Sequence, residues 1–218
     1  MTPVMAPARS ERAEAETHRL ERYQLTVCSQ PKLVWFRNAK VGTRSLYNLL
    51  RESPVEFEIE HEHDVPFDAE RYKAHYKFAM VRNPWDRLVS GWKNKIYRKD
   101  KAVLRLTNTQ MDVFQDFGAF AKYIASIDGE TCNVHFRHQS ALISLNEVDY
   151  VARFERYDDE VRRLFSTLGL KRPETIPHRN RTGHRKPYQD YYTAATRDLV
   201  GRFYEKDVSA FGYRFDET

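Results

Sequence analysis

A short apolar run that ends on an arginine constrains the fold of this chain more than any other segment. Residues 77–81 are one lysine and four apolar residues, and Arg82 and an Asn-Pro pair follow directly. This pattern predicts a buried strand that ends on Arg82, followed by a turn at the Asn-Pro pair. Residues 86–98 then predict a helix carrying Ser90, eight positions after Arg82. A guanidinium at a strand end and a hydroxyl on the next helix can donate to one phosphate.

A second strand, turn and helix precede this segment. Residues 32–38 predict a buried strand, residues 39–43 a tight loop, and residues 44–52 a helix that Pro54 ends. Backbone N–H groups at a helix start bind anions, with help from the helix dipole. The loop and the helix start carry donors for such an anion: Lys40, Val41, Gly42, Thr43, Arg44 and Ser45.

The spacing of this loop differs from a Walker motif. That motif places Gly-Lys-Ser/Thr four residues after a first glycine, whereas Lys40 precedes Gly42, the loop's only glycine. No obvious acidic magnesium site accompanies the loop. The sequence therefore predicts two anion sites at two strand ends, for a ligand that is handled without a metal.

The remaining segments predict the architecture. Further strands are expected at 55–61 and 149–154, helices at 113–127, 135–145, 158–168 and 193–207, a lid or substrate loop at 99–111, and a basic loop at 173–187. Strands that alternate with helices predict one α/β domain with a central, mainly parallel sheet flanked by helices. Ligands of such sheets bind outside the carboxyl ends of the strands, where both turns fall. Residues 1–24 are expected to be a polar arm, partly disordered or helical, and residues 25–218 the domain.

Bulk composition excludes several classes of protein. With 36 basic and 31 acidic residues the net charge is +5, which does not argue for nucleic acid. The basic residues cluster at 37–44, 82–105 and 179–186, which favours an anionic ligand. Two cysteines give neither a disulfide framework nor metal-ligand spacing. No run approaches the roughly 18 apolar residues of a membrane span. We expect a cytoplasmic, soluble protein, with a trimmed Golgi-type catalytic domain as the alternative.

Both turns resemble those of a known family. The pattern Asn38-x-Lys40-x-Gly42-Thr43-x-Ser45 is similar to the 5′-phosphosulfate loop of sulfotransferases that use 3′-phosphoadenosine 5′-phosphosulfate (PAPS). The segment from Arg82 to Ser90 is similar to their 3′-phosphate segment. The likeness is to the carbohydrate sulfotransferase group with the chondroitin, HNK-1 and uronyl/heparan 2-O enzymes. It runs from about residue 32 to 215. Arg44 departs from the pattern, because these enzymes often have a small or hydroxyl residue there.

The resemblance implies a P-loop-NTPase-like fold and a reaction. The reaction moves a sulfuryl group from PAPS to a hydroxyl acceptor, a carbohydrate such as a glycan or polysaccharide, and releases adenosine 3′,5′-bisphosphate (PAP). Lys40 is expected on the bridging oxygen, while Arg82 and Ser90 hold the 3′-phosphate. The charge of the basic loop, and not the resemblance, predicts that Arg185 and Lys186 close over that phosphate or hold an acidic acceptor. Neither a metal, nor nucleic acid, nor a membrane span is expected, and homo-oligomerisation stays open.

The attacking hydroxyl needs a base, and two histidines precede the strand-end arginine. His61 and His63 share a side if the strand at 55–61 continues through them. The 2-O enzymes have a similar His-x-His pair, and neutral imidazole suits base catalysis. Of the two, His63 is preferred, and Glu60 or Glu62 orients the imidazole or is itself the base. His135 is the reserve candidate. The plain alternative is a pair of surface histidines in an acidic segment.

Two other functions compete with sulfuryl transfer. A P-loop-type nucleotide or sugar kinase needs magnesium and ATP, and the missing Walker spacing counts against it. A non-catalytic module that binds anionic glycans keeps the basic clusters but needs neither Lys40 nor the Arg82 and Ser90 pair. Charge reversal at Lys40 abolishes transfer in the first case and leaves glycan binding mostly intact in the last.

Overall fold

The computed structural model describes residues 20–97, 106–176 and 186–217. Its strands are β1 (Arg22–Gln30), β2 (Leu33–Phe36), β3 (Glu56–Pro66), β4 (Tyr76–Val81) and β5 (Tyr150–Arg153). Its helices are α1 (Thr43–Arg51), α2 (Pro84–Trp92), α3 (Asn108–Val113), α4 (Phe117–Ile124), α5 (Tyr157–Thr167), α6 (Ala194–Phe203) and α7 (Glu205–Phe211). A π-helical turn (Lys93–Tyr97) extends α2, and 3₁₀ turns cover Ser140–Leu142, Phe154–Arg156 and Tyr188–Tyr191. Among these helices, none is both long and apolar enough to cross a membrane.

The five strands form one mixed sheet in the order β3-β1-β2-β4-β5. Strands β2, β4 and β5 run parallel, while β1 is antiparallel to both of its neighbours. The predicted α/β domain with a mainly parallel sheet is therefore confirmed. Phe36 of β2 pairs with Ala79 of β4, so the carboxyl ends of these two strands are neighbours.

The core lies on both faces of the sheet. Because side chains of a strand alternate between faces, Trp35 and Phe78 pack in one cluster and Phe36 and Ala79 in another. Helices α1 and α5 contribute to the first cluster. A third cluster joins α2, α4 and α6, and it buries Trp85 and Trp92. Both strand ends that carry the predicted anion sites are thus held by packed helices.

Strand β1 has no counterpart among the predicted elements. It begins at Arg22, inside the segment expected to be an arm, while residues 1–19 lie outside the described part. The strand pairs with a neighbour on each side, and most of its side chains are buried on both faces of the sheet. A strand buried on both faces lacks the apolar–polar alternation that identifies a strand in a sequence.

Several predicted helices are divided or shortened by local caps. The helix expected at 113–127 is two helices, because Asp116 caps α4 by accepting a hydrogen bond from the Ala119 N–H. Thr107 forms a capping box that makes residues 108–111 helical instead of a loop. The last predicted helix breaks at Tyr204 into α6 and α7, and residues 135–145 hold only a 3₁₀ turn. Residues 99–105 and 177–185 of the predicted loops lie outside the described residues, as does residue 98 of the helix predicted at 86–98.

Candidate active site

The sheet brings the two turns together at the carboxyl ends of β2 and β4. The Arg82 guanidinium, just after β4, donates from Nη1 to the Lys40 carbonyl at 3.0 Å. Asn38, just after β2, donates from Nδ2 to the Met80 carbonyl, also at 3.0 Å. The second turn thus hydrogen-bonds to the first, and the first hydrogen-bonds to the end of β4, as expected for the neighbouring carboxyl ends of parallel strands.

A third tie between the turns comes from Arg87, whose role the sequence reasoning missed. Its side chain is fully buried and donates to the carbonyls of Ala39 at 3.0 Å, Arg137 at 2.8 Å and Val134 at 2.9 Å. Burial lowers the pKa of this guanidinium. Arg87 therefore fixes the backbone just before Lys40 from within α2. The available signal was an arginine directly before the apolar Leu88 and Val89 in the predicted helix.

The first loop has backbone donors without a partner among the described residues. Lys40 and Gly42 both have left-handed backbones, with φ of 72° and 76°. Gly42 precedes α1 without a side-chain cap, and the first turn of α1 contains no acidic residue. The N–H groups of Gly42, Thr43 and Arg44 donate to none of the described residues. A helix start with unpaired N–H groups and no acidic side chain is a ready anion site.

Gly42 is held tightly by Tyr157, the first residue of α5. The Tyr157 hydroxyl donates to the Gly42 carbonyl at 3.0 Å. A Cβ added at Gly42 would lie 2.5 Å from Cε2 of Tyr157 and 3.2 Å from Cε2 of Phe154. The sequence placed Gly42 among the residues that donate to an anion. The structure adds that two aromatic rings that follow β5, those of Phe154 and Tyr157, leave no room for a side chain at this residue.

The other predicted loop donors differ in their surroundings. The Thr43 hydroxyl donates to the Asn38 carbonyl at 2.5 Å. This hydrogen bond closes the loop and uses the hydroxyl hydrogen. Ser45 and Val41 are buried at 8% and 1% exposure, so Val41 offers an anion its backbone and not its side chain. Arg44 is exposed.

Arg82 in the second turn is already paired. Its Nε and Nη2 atoms donate to one Asp86 carboxylate oxygen, at 2.8 Å and 2.6 Å, and the guanidinium lies 4.4 Å from the centre of the Phe154 ring. The Gln139 side-chain amide makes two hydrogen bonds of 2.9 Å to the Arg82 backbone: it accepts from the N–H and donates to the carbonyl. Since arginine has five N–H donors, two stay available beside the bond to Lys40.

The two predicted histidines lie on an irregular part of β3. The pairing of β3 with β1 shifts register on both sides of the Leu25–Glu62 pair. His61 and Asp64 fall in these shifts, and both have left-handed backbones with φ of 56°. The rings of His61 and His63 nevertheless lie 6.1 Å apart, in an edge-to-face arrangement. Bulges of this kind re-aim side chains next to active sites.

His61 has the more distinctive surroundings. Its ring lies 4.8 Å from the Tyr47 ring of α1. Burial lowers the pKa of His61, the nearby Arg37 lowers it further, and Glu60 acts in the opposite direction. His61 therefore favours the neutral form that a general base needs.

Arg37 is the unexpected neighbour of this pair. It is 2% exposed, it donates to the Glu62 carbonyl between the two histidines, and no carboxylate in the described part pairs with it. Burial lowers the pKa of Arg37 to about 10. The Glu60 carboxylate, by contrast, accepts a hydrogen bond from the Tyr47 hydroxyl and pairs with Arg51 at 3.3 Å. These contacts engage the carboxylate, which disfavours Glu60 as the base.

The remaining candidates lie farther along the chain. His135 is partly buried, with Nδ1 2.8 Å from Oδ1 of Asn133. Lys186 places its ammonium 5.1 Å from the centre of the Tyr191 ring. Arg185 lies outside the described residues. In the described ranges, no three His, Cys, Asp or Glu side chains gather as metal ligands do.

Comparisons with known proteins find relatives at 21–26% identity. The chain is 23% identical over 240 residues to carbohydrate sulfotransferase 14 of Danio rerio, covering 91% of this chain and 62% of that protein. It is 21% identical over 234 residues to carbohydrate sulfotransferase 10 of Xenopus laevis, covering 89% of this chain and 66% of that one. Carbohydrate sulfotransferase 14 of Mus musculus is 26% identical over 171 residues, with coverage of 66% and 44%. No solved structure gives a significant match.

The chain spans no more than about two thirds of the length of these relatives. The family model described as the sulfotransferase family matches residues 23–214, which include every strand of the sheet except the first residue of β1. Both strand-end turns and both histidines lie in the match. The chain belongs to the sulfotransferase family.

Proposed function

We propose that this protein transfers a sulfuryl group from PAPS to a hydroxyl of a carbohydrate. One observation carries the proposal: the unpaired N–H groups at the start of α1 lie in the same turn as Lys40, and Arg82 ties that turn to the second one. A donor with phosphate-like groups at both ends needs two such anion sites. The names of the relatives, all carbohydrate sulfotransferases, favour a glycan acceptor.

The chemistry is an in-line displacement at sulfur. The acceptor oxygen forms a bond to sulfur while the bond from sulfur to the bridging phosphate oxygen breaks, and PAP leaves with the electron pair. By analogy with phosphoryl transfer, the protein mainly positions the reactants and stabilises charge. The Lys40 ammonium stabilises the charge that grows on the bridging oxygen, and the N–H groups of α1 hold the phosphosulfate.

The acceptor proton goes to a base on β3. His61 and His63 are both candidates, since their rings are neighbours on the bulged strand. The contacts of Arg37 and Tyr47 favour a neutral, oriented His61, whereas the resemblance favours His63. The cytoplasmic location expected from the sequence stays a prediction, as do the acceptor's identity and the oligomeric state.

Calorimetry on PAP tests the donor site directly. We expect wild-type protein to bind PAP without a metal and more tightly than ATP with magnesium. Ser90→Ala is expected to weaken PAP binding by about tenfold, because it removes a donor to a charged group. Its hydroxyl makes no hydrogen bond to another described residue, so the fold is expected to be intact.

The comparison ligands decide between the competing functions. Binding of ATP with magnesium but not of PAP would overturn the sulfotransferase proposal in favour of a kinase. Binding of neither would favour the glycan-binding module. Once PAP binds, transfer of labelled sulfate from PAPS to a panel of glycans identifies the acceptor.

The base can be tested through Arg37. In Arg37→Met the cation beside His61 is lost, so the pKa of His61 rises towards its usual range. If His61 is the base, it must be neutral, and activity is lost as pH falls through its pKa. We therefore expect the acid limb of the kcat/KM profile to move to higher pH in the variant. The measurement is initial-rate sulfation across pH 5 to 9, a range set by the ordinary pKa of about 6.5 for histidine.

A second substitution separates the charge of Arg37 from its hydrogen bond. Arg37→Lys keeps a cation at this place, and its acid limb is expected to stay close to that of the wild type. An unmoved acid limb in Arg37→Met would exclude His61 as the titrating base and leave His63 as the candidate.

A further inference from the structure

The Arg82 backbone lies just past the end of the sheet. The parallel ladder between β4 and β5 ends at the pair of Val81 and Arg153, so Arg82 has no strand partner. The Gln139 side chain takes that place, because its Oε1 accepts from the Arg82 N–H and its Nε2 donates to the Arg82 carbonyl. Arg82 is 6% exposed and Gln139 is fully buried. One side-chain amide thus continues the ladder by one residue and satisfies a buried N–H and a buried carbonyl.

This amide is anchored by a buried carboxylate, that of Asp207 in the first turn of α7. Asp207 is fully buried, and within the described residues it pairs with no lysine or arginine. Its Oδ2 accepts from the Gln139 N–H at 2.8 Å and from the Gln139 side-chain amide at 3.4 Å. Its Oδ1 accepts from the N–H and the hydroxyl of Ser140, at 2.9 Å and 2.8 Å. A buried charge is costly unless hydrogen bonds compensate it, and here those bonds hold Gln139 and its neighbour.

The segment that carries Gln139 is also fixed by two other buried side chains. Arg87 of α2 donates to two carbonyls within residues 134–137. The Tyr204 hydroxyl, at the junction of α6 and α7, donates to the Phe136 carbonyl at 2.8 Å. Both of these side chains are 0% exposed. The segment is neither strand nor α-helix, so these contacts and not a regular backbone pattern define where Gln139 lies.

The position of the Arg82 backbone determines where its guanidinium points. The side chain joins both turns, since Nη1 donates to the Lys40 carbonyl while Nε and Nη2 donate to Asp86. The planar guanidinium has its donors in a fixed fork, so it makes these bonds in one orientation. Displacement of a group in a site by about 1 Å is enough to cost roughly 100-fold in activity. A residue that holds the Arg82 backbone therefore controls the aim of the guanidinium.

We propose that Gln139 is a positioning residue of the donor site. Anchored by Asp207, it fixes the Arg82 backbone and so aims the Arg82 guanidinium. Gln139 does not touch the donor in this assignment and acts only through Arg82. The assignment extends the site to α7, a helix that carries none of the site residues expected from the sequence. The inference rests on the proposed function, in which Arg82 binds PAPS.

A double-mutant cycle on PAP binding tests this assignment by calorimetry. Gln139→Met keeps the approximate shape of the side chain and removes both polar groups, so it is expected to weaken PAP by about tenfold. In an Arg82→Met background the same change is expected to alter PAP affinity by less than about twofold, because no guanidinium is left to aim. In a Ser90→Ala background the full loss is expected, since the Ser90 hydroxyl makes no hydrogen bond to Gln139. General loosening of the fold would instead weaken PAP in both backgrounds.

Ser140→Ala is the matched control, because it removes a hydrogen bond to the same Asp207 carboxylate and leaves Gln139 in place. Both variants are expected to lower the urea midpoint, but only Gln139→Met weakens PAP by more than about twofold. An unchanged PAP affinity in Gln139→Met, or a loss that persists in the Arg82→Met background, would overturn the inference. Wild-type protein that binds no PAP would overturn the proposed function instead. If Gln139→Met does not fold, Gln139→Asn, whose amide is one methylene shorter, replaces it in the cycle with the same expected pattern.

Discussion

Lys40→Gly is expected to lower kcat by about 10²- to 10³-fold while the protein stays at least as stable as the wild type. The loss in rate follows from removing a donor aimed at the charge that develops on the bridging oxygen. The stability is expected to be kept because Lys40 has a left-handed backbone, with φ of 72°. A non-glycine residue in that conformation costs about 1–3 kcal/mol of backbone strain, which glycine avoids. Sulfation rates and urea unfolding measure the two effects on the same variant.

Two further substitutions at Lys40 separate charge from strain. Lys40→Met removes the ammonium and keeps the strained backbone, so it is expected to match the glycine variant in rate and to unfold more easily by about 1 kcal/mol. Lys40→Arg keeps a charge and is expected to retain part of the activity. Full turnover in Lys40→Gly would remove Lys40 from the chemistry, whatever its effect on stability.

The sequence predicted the two turns because their determinants are local. An apolar run, a break and a helix start lie within about a dozen residues at each turn, so periodicity and the Asn-Pro pair were enough to place them. Asn83 does cap α2, accepting a hydrogen bond from the Trp85 N–H at 3.1 Å. The prediction that the two turns lie close together needed one further inference, that strands which alternate with helices run parallel.

The supports of the site could not be predicted, because their partners are distant in sequence. Gln139 brackets Arg82 from 57 residues away, and Asp207 in turn accepts from the Gln139 N–H at 2.8 Å. The bulges of β3 depend on its register with β1, a strand the pattern did not identify. Each of these contacts orients a side chain in the site. Local motifs identify that side chain but do not determine its orientation, which depends on tertiary structure.

The contact between Gly42 and Tyr157 gives the largest expected effect on stability. Gly42→Ala places a Cβ 2.5 Å from Cε2 and 2.9 Å from Cζ of Tyr157, at a residue with φ of 76°. The ring has little room to retreat, since it is 6% exposed and its hydroxyl bonds to Gly42. Strain and overpacking add, so we expect a loss of about 2–5 kcal/mol in the free energy of unfolding. PAP binding is expected to fall too, because the start of α1 must move.

Gly169→Ala is the matched control for this substitution. Gly169 also has a left-handed backbone, with φ of 68°, but a Cβ there meets nothing within 4 Å. Its expected loss is therefore the backbone term alone, about 1 kcal/mol, without an effect on PAP binding. The difference between the two variants isolates the contact with Tyr157. A second change, Tyr157→Leu in the Gly42→Ala background, removes the ring and is expected to recover part of the lost stability. Equal losses at Gly42 and Gly169 would show that backbone strain, and not the aromatic wall, restricts position 42 to glycine.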